Sequence, residues 1–252
     1  MSVYAIYFSP TKSTEKTVKI LAGELGNYTE IDLSKKEEQF NQTFSNQDVC
    51  IFGVPSYGGR VPSVALQRMK DLKGNGTPAI LLVSYGNRAY EYTLKELEAC
   101  VTDKGFHCIA AITAVAEHSI MHQFAAGRPD DADKHQLIQF SEQILNKMKN
   151  TSPHDKLTLP GNYPYREYNG IPLKPKAGNN CSNCRLCAKV CPVGAIPSEN
   201  PKITNKKLCI SCMRCVQVCP SNARKLNGIL LKIASKKMEK TCSDRKENEL
   251  FI

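Results

Sequence analysis

The sequence predicts an α/β fold, a doubly wound parallel sheet of about five strands, followed by a second, small α+β module built around cysteines. Three observations carry this. Short apolar runs alternate with helical patterns as far as residue 149, a stretch rich in proline and glycine follows, and eight cysteines then repeat at fixed spacing. Residues 3–8 (VYAIYF), 49–54 (VCIFGV), 79–84 (AILLVS) and 108–115 (CIAAITAV) are nearly continuous apolar runs. Such runs suit strands covered on both faces. Residues 28–33 are a weaker, edge-like candidate for the second strand. Val18, Leu21, Ala22 and Leu25 recur at helical spacing, and Leu137, Ile144, Leu145 and Met148 mark a longer helix over 131–149.

The order of these segments divides the chain into 1–149, the α/β domain; 150–178, a linker; 179–225, the cysteine module; and 226–252, a basic C-terminal helix and tail. The linker carries prolines, glycines and the aromatics Tyr163, Tyr165 and Tyr168. Prolines argue against regular elements there, and the tyrosines suggest packing against a neighbour. In the tail, Ile229, Leu230 and Ile233 form an apolar face on a Lys-rich helix, expected to dock on its own protein rather than on anionic lipid.

The formal charge is +10. Residues 1–150 hold 16 basic and 17 acidic side chains, whereas 176–225 hold 9 basic and 1 acidic. The excess of positive charge therefore coincides with the cysteines. The start of the chain has no basic leader and reads as a strand, and no run approaches the roughly 18 apolar residues of a membrane span. A cytoplasmic location is the expectation. Cys50, Cys100 and Cys108, in apolar surroundings, read as buried small side chains, and Cys242 stands apart.

Cys181, Cys184, Cys187, Cys191 and Pro192 spell C-x2-C-x2-C-x3-C-P, and Cys209, Cys212, Cys215, Cys219 and Pro220 repeat it at an offset of 28. Three cysteines of each run can wrap three corners of a four-iron cubane, while the fourth reaches to the other cluster. This assigns Cys181, Cys184, Cys187 and Cys219 to one [4Fe–4S] cluster, and Cys209, Cys212, Cys215 and Cys191 to the second. Zinc knuckles have no use for the third cysteine or the proline. Each loaded cluster adds about −2, which offsets part of the local positive charge. The segment resembles two-cluster bacterial ferredoxins, and the resemblance implies low-potential, single-electron transfer. Those ferredoxins are typically acidic, so the basic balance here is a departure that points to redox partner proteins of acidic surface.

After the first strand come Ser9, Thr11, Lys12, Ser13 and Thr14, at the start of the first helix. A strand, a hydroxyl-rich turn and a helix N-terminus favour an anion. The same residue types also serve as simple N-caps. Neither G-x-G-x-x-G nor a P-loop is present. Pro55, Ser56, Tyr57, Gly58 and Gly59 follow the third strand; Ser84, Tyr85, Gly86, Asn87 and Tyr90 follow the fourth. Open α/β sheets place ligands at these strand ends, and the tyrosines can stack on a flat ring.

The first of these loops resembles the phosphate loop of flavodoxins, with Lys12 where a glycine is usual. With the cysteine module, the whole chain resembles flavodoxin–ferredoxin fusion proteins of anaerobic bacteria and archaea. That resemblance implies a flavodoxin-like five-stranded sheet, non-covalent FMN bound by the three loops, and transfer of electrons between FMN and the cubanes. His118, beside Glu117 and near His122, is the one candidate for a catalytic role, and Arg60 and Arg88 are further candidates for the FMN site. His107, His135 and His154 have no partner at ligand spacing. An electron carrier is the leading expectation, and an iron–sulfur flavoenzyme reducing a small acceptor is its rival. A nucleic-acid protein is disfavoured by the near-neutral first domain. A homodimer that pairs the flavin of one subunit with the clusters of another is left open.

Overall fold

The computed structural model describes residues 1–36, 38–150 and 157–252; His154 lies outside them. The elements run β1 (Val3–Tyr7), α1 (Ser13–Leu25), β2 (Tyr28–Asp32), β3 (Thr43–Phe44), β4 (Val49–Pro55), α2 (Ser63–Met69), β5 (Lys73–Gly74), β6 (Thr77–Tyr85), α3 (Thr93–Thr102), β7 (Phe106–Val115) and α4 (Asp131–Asn150). Beyond them come β8 (Lys176–Ala177), α5 (Leu186–Lys189), α6 (Arg214–Gln217), β9 (Arg224–Lys225), α7 (Gly228–Cys242) and β10 (Glu249–Phe251).

The main sheet has the order β10-β7-β6-β4-β1-β2. Its β2, β1, β4, β6 and β7 are parallel neighbours. Taken in chain order without the short β3 and β5, that is 2-1-3-4-5, the flavodoxin-like arrangement. Alternation along each strand divides the core between two faces. Tyr7, Ile51, Ile80 and Leu82 pack with Val18 and Leu21 of α1 and Leu137 and Ile144 of α4. Ile6, Phe52, Leu81 and Val83 pack on the other side with Met69 of α2 and Leu94 and Leu97 of α3. Sequential burial on both faces is what made these strands read as unbroken apolar runs.

The sheet corrects the expectation of five parallel strands, because the tail supplies a sixth. β10 pairs antiparallel with β7, Leu250 standing opposite Ile112. Just before it, Asn248 accepts the Val115 N–H at 2.8 Å and donates to Asp133 at 3.0 Å and Gln136 at 2.7 Å. Asp133 also pairs with buried Arg128, whose guanidinium donates to the Lys246 carbonyl at 2.6 Å. The edge of the sheet is thus closed by polar groups whose hydrogen bonding the returning tail completes, the Val115 N–H finding its partner only there.

The tail helix docks by a different face from the one expected. Leu231, Ala234, Met238 and Cys242 meet Met121, Phe124 and Leu173, whereas Ile229 is 74% exposed and Leu230 and Ile233 are about half exposed. In the linker, Tyr165 packs on Tyr92 and lies under the Arg60 guanidinium, but Tyr163 is 83% exposed. β8, at the linker's end, pairs with β9, so Lys176 and Ala177 already join the cysteine-rich part. Cys50, Cys108 and Cys242 are buried, while Cys100 is half-buried. Among the described residues, no helix is long and apolar enough to cross a membrane.

Replacing Asn248 by Ala leaves the buried Val115 N–H without its partner, and is expected to cost about 1–3 kcal/mol. Urea unfolding followed by circular dichroism measures this; a loss under about 0.5 kcal/mol would show that the returning tail does not secure the sheet edge.

Candidate functional site

The loops after β1, β4, β6 and β7 meet at the carboxyl edge of the sheet and border a cavity of about 390 Å³. That volume suits one small ligand. Thr11, Ser13 and Thr14 line it from the first loop, Pro55, Ser56, Tyr57 and Gly58 from the second, and Ser84, Tyr85 and Gly86 from the third.

The first loop is shaped to leave donors free. Lys12 sits at φ 65°, a left-handed conformation that favours glycine. Its N–H reaches the Ser9 carbonyl, the Glu15 N–H donates to Ser9 Oγ at 2.9 Å, and the Lys16 N–H to the Lys12 carbonyl at 2.9 Å. Among the described residues, the amides of Thr11, Ser13 and Thr14 donate to no group. Three free N–H groups at the positive end of a 13-residue helix lie where an anion is stabilised. Behind them, Thr14 Oγ1 and Ser84 Oγ share a 2.6 Å hydrogen bond that ties the first loop to the third.

The second loop turns at Gly58 and Gly59, both at positive φ, between the paired Tyr57 and Arg60. A side chain at Gly58 would collide with the Tyr168 ring, its Cβ 2.3 Å from the nearest ring carbon. In the third loop, a Cβ at Gly86 would fall 2.6 Å from His118. The missing side chains therefore admit Tyr168 and His118 to the cavity wall.

His118 Nδ1 accepts the N–H groups of Ile120 and Met121, each at 3.2 Å. Burial pushes its pKa down to about 4. The ring is neutral at pH 7, and with Nδ1 occupied as an acceptor its proton resides on Nε2. It is a fixed donor at the cavity wall. Glu117 also lines the cavity, but its carboxylate is committed to the Gly127 N–H at 2.8 Å and to His122 at 2.6 Å.

The other sequence candidates stand behind this wall. Ser9 caps the first turn, and the Lys12 side chain lines a separate polar cleft with Glu15, Glu30, Asp32 and Arg214. Gly59 packs against Glu91. Asn87 is buried, donating to the carbonyls of Cys242 and Asp244 at 2.6 and 2.8 Å. Tyr90 meets Tyr85 edge-on at 5.3 Å and donates to Glu249 at 2.8 Å. Arg60 is engaged by Glu96, while Arg88 does line the cavity.

Several lining residues lie outside the three loops, and the sequence marked only Tyr168, Leu230 and Ile233 among them, as packing residues rather than as part of this site. Tyr168, Ile171 and Leu173 come from the linker, Leu230, Ile233 and Met238 from α7, and Ile210 and Ser211 from the second cysteine motif. Long-range docking places them at this cavity, and no local pattern says which surface they meet.

The cysteine motifs fold alike. Asn183 and Arg185 in the first, and Ser211 and Met213 in the second, have φ of 56° and 62° in each pair. Cys209, Cys212, Cys215 and Cys191 line one small enclosed cavity, so a cysteine of the first motif stands with three of the second. Of the other four, Cys184 is exposed, Cys181 and Cys219 are half-buried and Cys187 is buried. Backbone N–H groups point at sulfur in both halves: Ala195 to Cys191 and Ala223 to Cys219, each at 3.3 Å.

Burial pushes the Cys212 and Cys215 thiols up to about 12. Without a cation they stay protonated, and ligation must release those protons. Among the described residues, no three His, Cys, Asp or Glu side chains converge on a point as a single metal ion requires. A cubane differs in giving each thiolate its own iron at a separate corner.

Arg224 supplies a second test of fit. It is 2% exposed and forms no ion pair among the described residues; its guanidinium donates to Thr204 Oγ1 at 2.8 Å and to the carbonyls of Pro201 and Ile203 at 2.5 and 3.2 Å. A guanidinium cannot shed its proton, so a buried one calls for a nearby negative group. A thiolate-bound cluster is such a group.

This part is joined to the first by hydrogen bonds from Arg68 to the Pro192 carbonyl at 2.6 Å, Arg214 to the Ser34 carbonyl at 3.2 Å and Gln217 to the Thr11 carbonyl at 3.1 Å.

Residues 180–224 match the 4Fe-4S dicluster domain family. No curated protein matches the chain. Similar solved structures include the Streptococcus pneumoniae TIGR4 flavodoxin, 17% identical with a TM-score of 0.42 over 58% of this chain and 99% of that one. Oxidised flavodoxin 1 from Bacillus cereus is 16% identical with a TM-score of 0.43, over 58% and 98%. Rubredoxin oxygen:oxidoreductase from Desulfovibrio gigas is 20% identical with a TM-score of 0.39, over 59% and 36%. It is the sheet's own strand order that makes the fold flavodoxin-like.

The His118 pKa carries a pH signature. Because it is lowered in the folded protein, the unfolded chain binds the extra proton first, and stability is lost as pH falls from about 6.5 towards about 4. His118→Gln is expected to flatten the pH dependence of urea midpoints in that window by up to about 1.4 kcal/mol per pH unit. An unchanged slope would place the titrating group elsewhere.

Proposed function

We propose that this protein transfers electrons between FMN, held in the cavity at the strand ends, and two [4Fe–4S] clusters, and exchanges them with a redox partner protein. The observation that carries the reading is a shared wall. Ile210, next to Cys209, lines both the 390 Å³ cavity and the cavity bordered by Cys191, Cys209, Cys212 and Cys215. One short loop of the same chain separates the two places where cofactors would sit.

In this reading the free amides of Thr11, Ser13 and Thr14, with their hydroxyls, take the FMN phosphate, while Tyr57, Tyr85 and Tyr168 form the aromatic surroundings of the ring. Cys181, Cys184, Cys187 and Cys219 hold one cluster, and Cys209, Cys212, Cys215 and Cys191 the other. FMN supplies chemistry that links two-electron to one-electron exchange, and each cluster passes single electrons. The chain's own part is to hold these groups close, keep water from them and neutralise their charge through Arg224 and the backbone N–H groups. A partner would meet the exposed Cys184 side, where Arg185 and Lys189 favour an acidic surface.

A second reading, an iron–sulfur flavoenzyme that reduces a small acceptor, is favoured by the cavity cover. The linker and α7 overlie the cavity, and His118 offers a fixed proton donor there. Such a cover admits small molecules more readily than a protein surface.

Anaerobic reconstitution tests the main reading. About eight irons and one FMN per chain are expected, with the flavin absorbance changing when a mediator reduces only the clusters. Cys191→Ala is expected to lose about half of the iron signal through the cluster held mainly by the second motif. Full iron with no FMN bound, even after addition, would remove the flavin from the function. Turnover of a small acceptor without any partner protein would favour the enzyme.

A further inference from the structure

Resting on the flavin reading above, we propose that Ser211, a residue of the second cysteine motif, is a flavin-positioning residue. Its hydroxyl would complete the FMN site by hydrogen-bonding the polar edge of the ring, making the cluster of Cys191, Cys209, Cys212 and Cys215 the one that faces the flavin.

Ser211 is 5% exposed, and among the described residues its Oγ has no hydrogen-bond partner. A buried hydroxyl left unpaired is costly, so a group that satisfies it is expected. The direction is set by the two cavities. Ser211 lines the 390 Å³ cavity with Tyr57 and Tyr168, whereas the cavity of the four cysteines is lined by Ile210, Cys212 and Met213 and not by Ser211. The hydroxyl therefore serves the flavin side, while the flanking Cys209 and Cys212 serve the other.

The backbone agrees with this division of labour. Ser211 stands at φ 56°, a conformation that a non-glycine residue holds only when its surroundings impose it. Asn183, 28 residues earlier, has the same φ in the first motif, yet it is exposed and lies beside Cys181 Sγ. The two repeats share a shape, but only the second offers its loop to the cavity. Because iron ligation orders that loop, FMN affinity and cluster loading become coupled, each strengthening the other by the same factor.

FMN binding to the full chain with both clusters, measured anaerobically by quenching of flavin fluorescence with iron counted on each sample, tests this. Ser211→Gly tolerates the positive φ while removing the hydroxyl, and is expected to raise the FMN Kd about tenfold at unchanged iron content. Asn183→Gly, the same change in the other repeat, is expected to leave the Kd at the wild-type value. If Ser211→Gly loses iron, Ser211→Ala takes its place with the same expectation. A wild-type Kd in the Ser211 variant, or equal weakening in both variants, overturns the inference. A wild-type chain with full iron that binds no FMN overturns instead the flavin reading on which it rests.

Discussion

The constraint on which most else depends is the burial of charge in a part of the chain too small to bury much else. The apolar cluster around the cysteines contains Ala188, Ala195, Ile196, Val193 and Val216, with the cysteines themselves making up much of the remainder. Arg224 lies in the same region, its guanidinium held by neutral carbonyls and a hydroxyl. Isolated burial of an ion costs several kcal/mol. On the proposed assignment the anionic clusters remove that cost, and their iron–sulfur bonds replace the apolar core that the segment lacks.

This constraint extends to the first domain because the cavity does not belong to that domain alone. The sheet contributes four loops at its carboxyl edge, in positions set by strand order. The remaining wall comes from Ile210 and Ser211, and the cover from the linker and α7. α7 is in turn anchored at its end, where the carbonyls of Cys242 and Asp244 accept from Asn87 and β10 joins β7. Disordering the cysteine loop would open one side of the cavity; releasing the tail would open another. Both events also reach the sheet, because Ile210 and Val193 of the cysteine-rich part and Leu250 and Phe251 of the tail pack against its core.

How much of this could be read from residues alone follows from the range of the forces involved. Four of the five parallel strands were legible because two-sided burial writes itself into each as a local apolar run, and the cysteine repeat because ligation fixes spacing; β2, an edge strand with Thr29 and Glu30 exposed, was legible only weakly. β10 was not legible: Glu249, Leu250 and Phe251 form no periodic pattern, and their place is set by pairing with residues more than 130 positions earlier. The α7 face was only partly read, for a similar reason: Leu230 and Ile233 turn to the cavity, but the packed side lies elsewhere. Ile229, Leu230 and Ile233 are the more apolar choice, but Leu231, Ala234 and Met238 are the ones that fit against Met121 and Leu173. In the site, Thr11, Tyr57 and Tyr85 stand in the loops that strand ends must supply, whereas Asn87 and Tyr90, equally close in sequence, are drawn away by the tail through Cys242, Asp244 and Glu249. A loop can be assigned to a site from its position in the fold, but each side chain's direction depends on what returns to meet it.

The distribution of exposure gives the proposed relay an inside and an outside. Cys191, Cys212 and Cys215 are buried on the side where the cysteine-rich part meets the cavity at the strand ends, whereas Cys184 is exposed at the opposite motif. Around the latter, Arg185 and Lys189 are also exposed. Charges at an exposed rim act mainly on encounter, so they raise association with an acidic surface and lose effect as salt rises. Arg224, sealed inside, is screened much less by salt and would act on the proposed clusters themselves. On the proposed function, the same sign of charge would serve two purposes separated by depth: the surface lysines and arginines would select what approaches, and the buried guanidinium would adjust how readily an electron is held once it arrives.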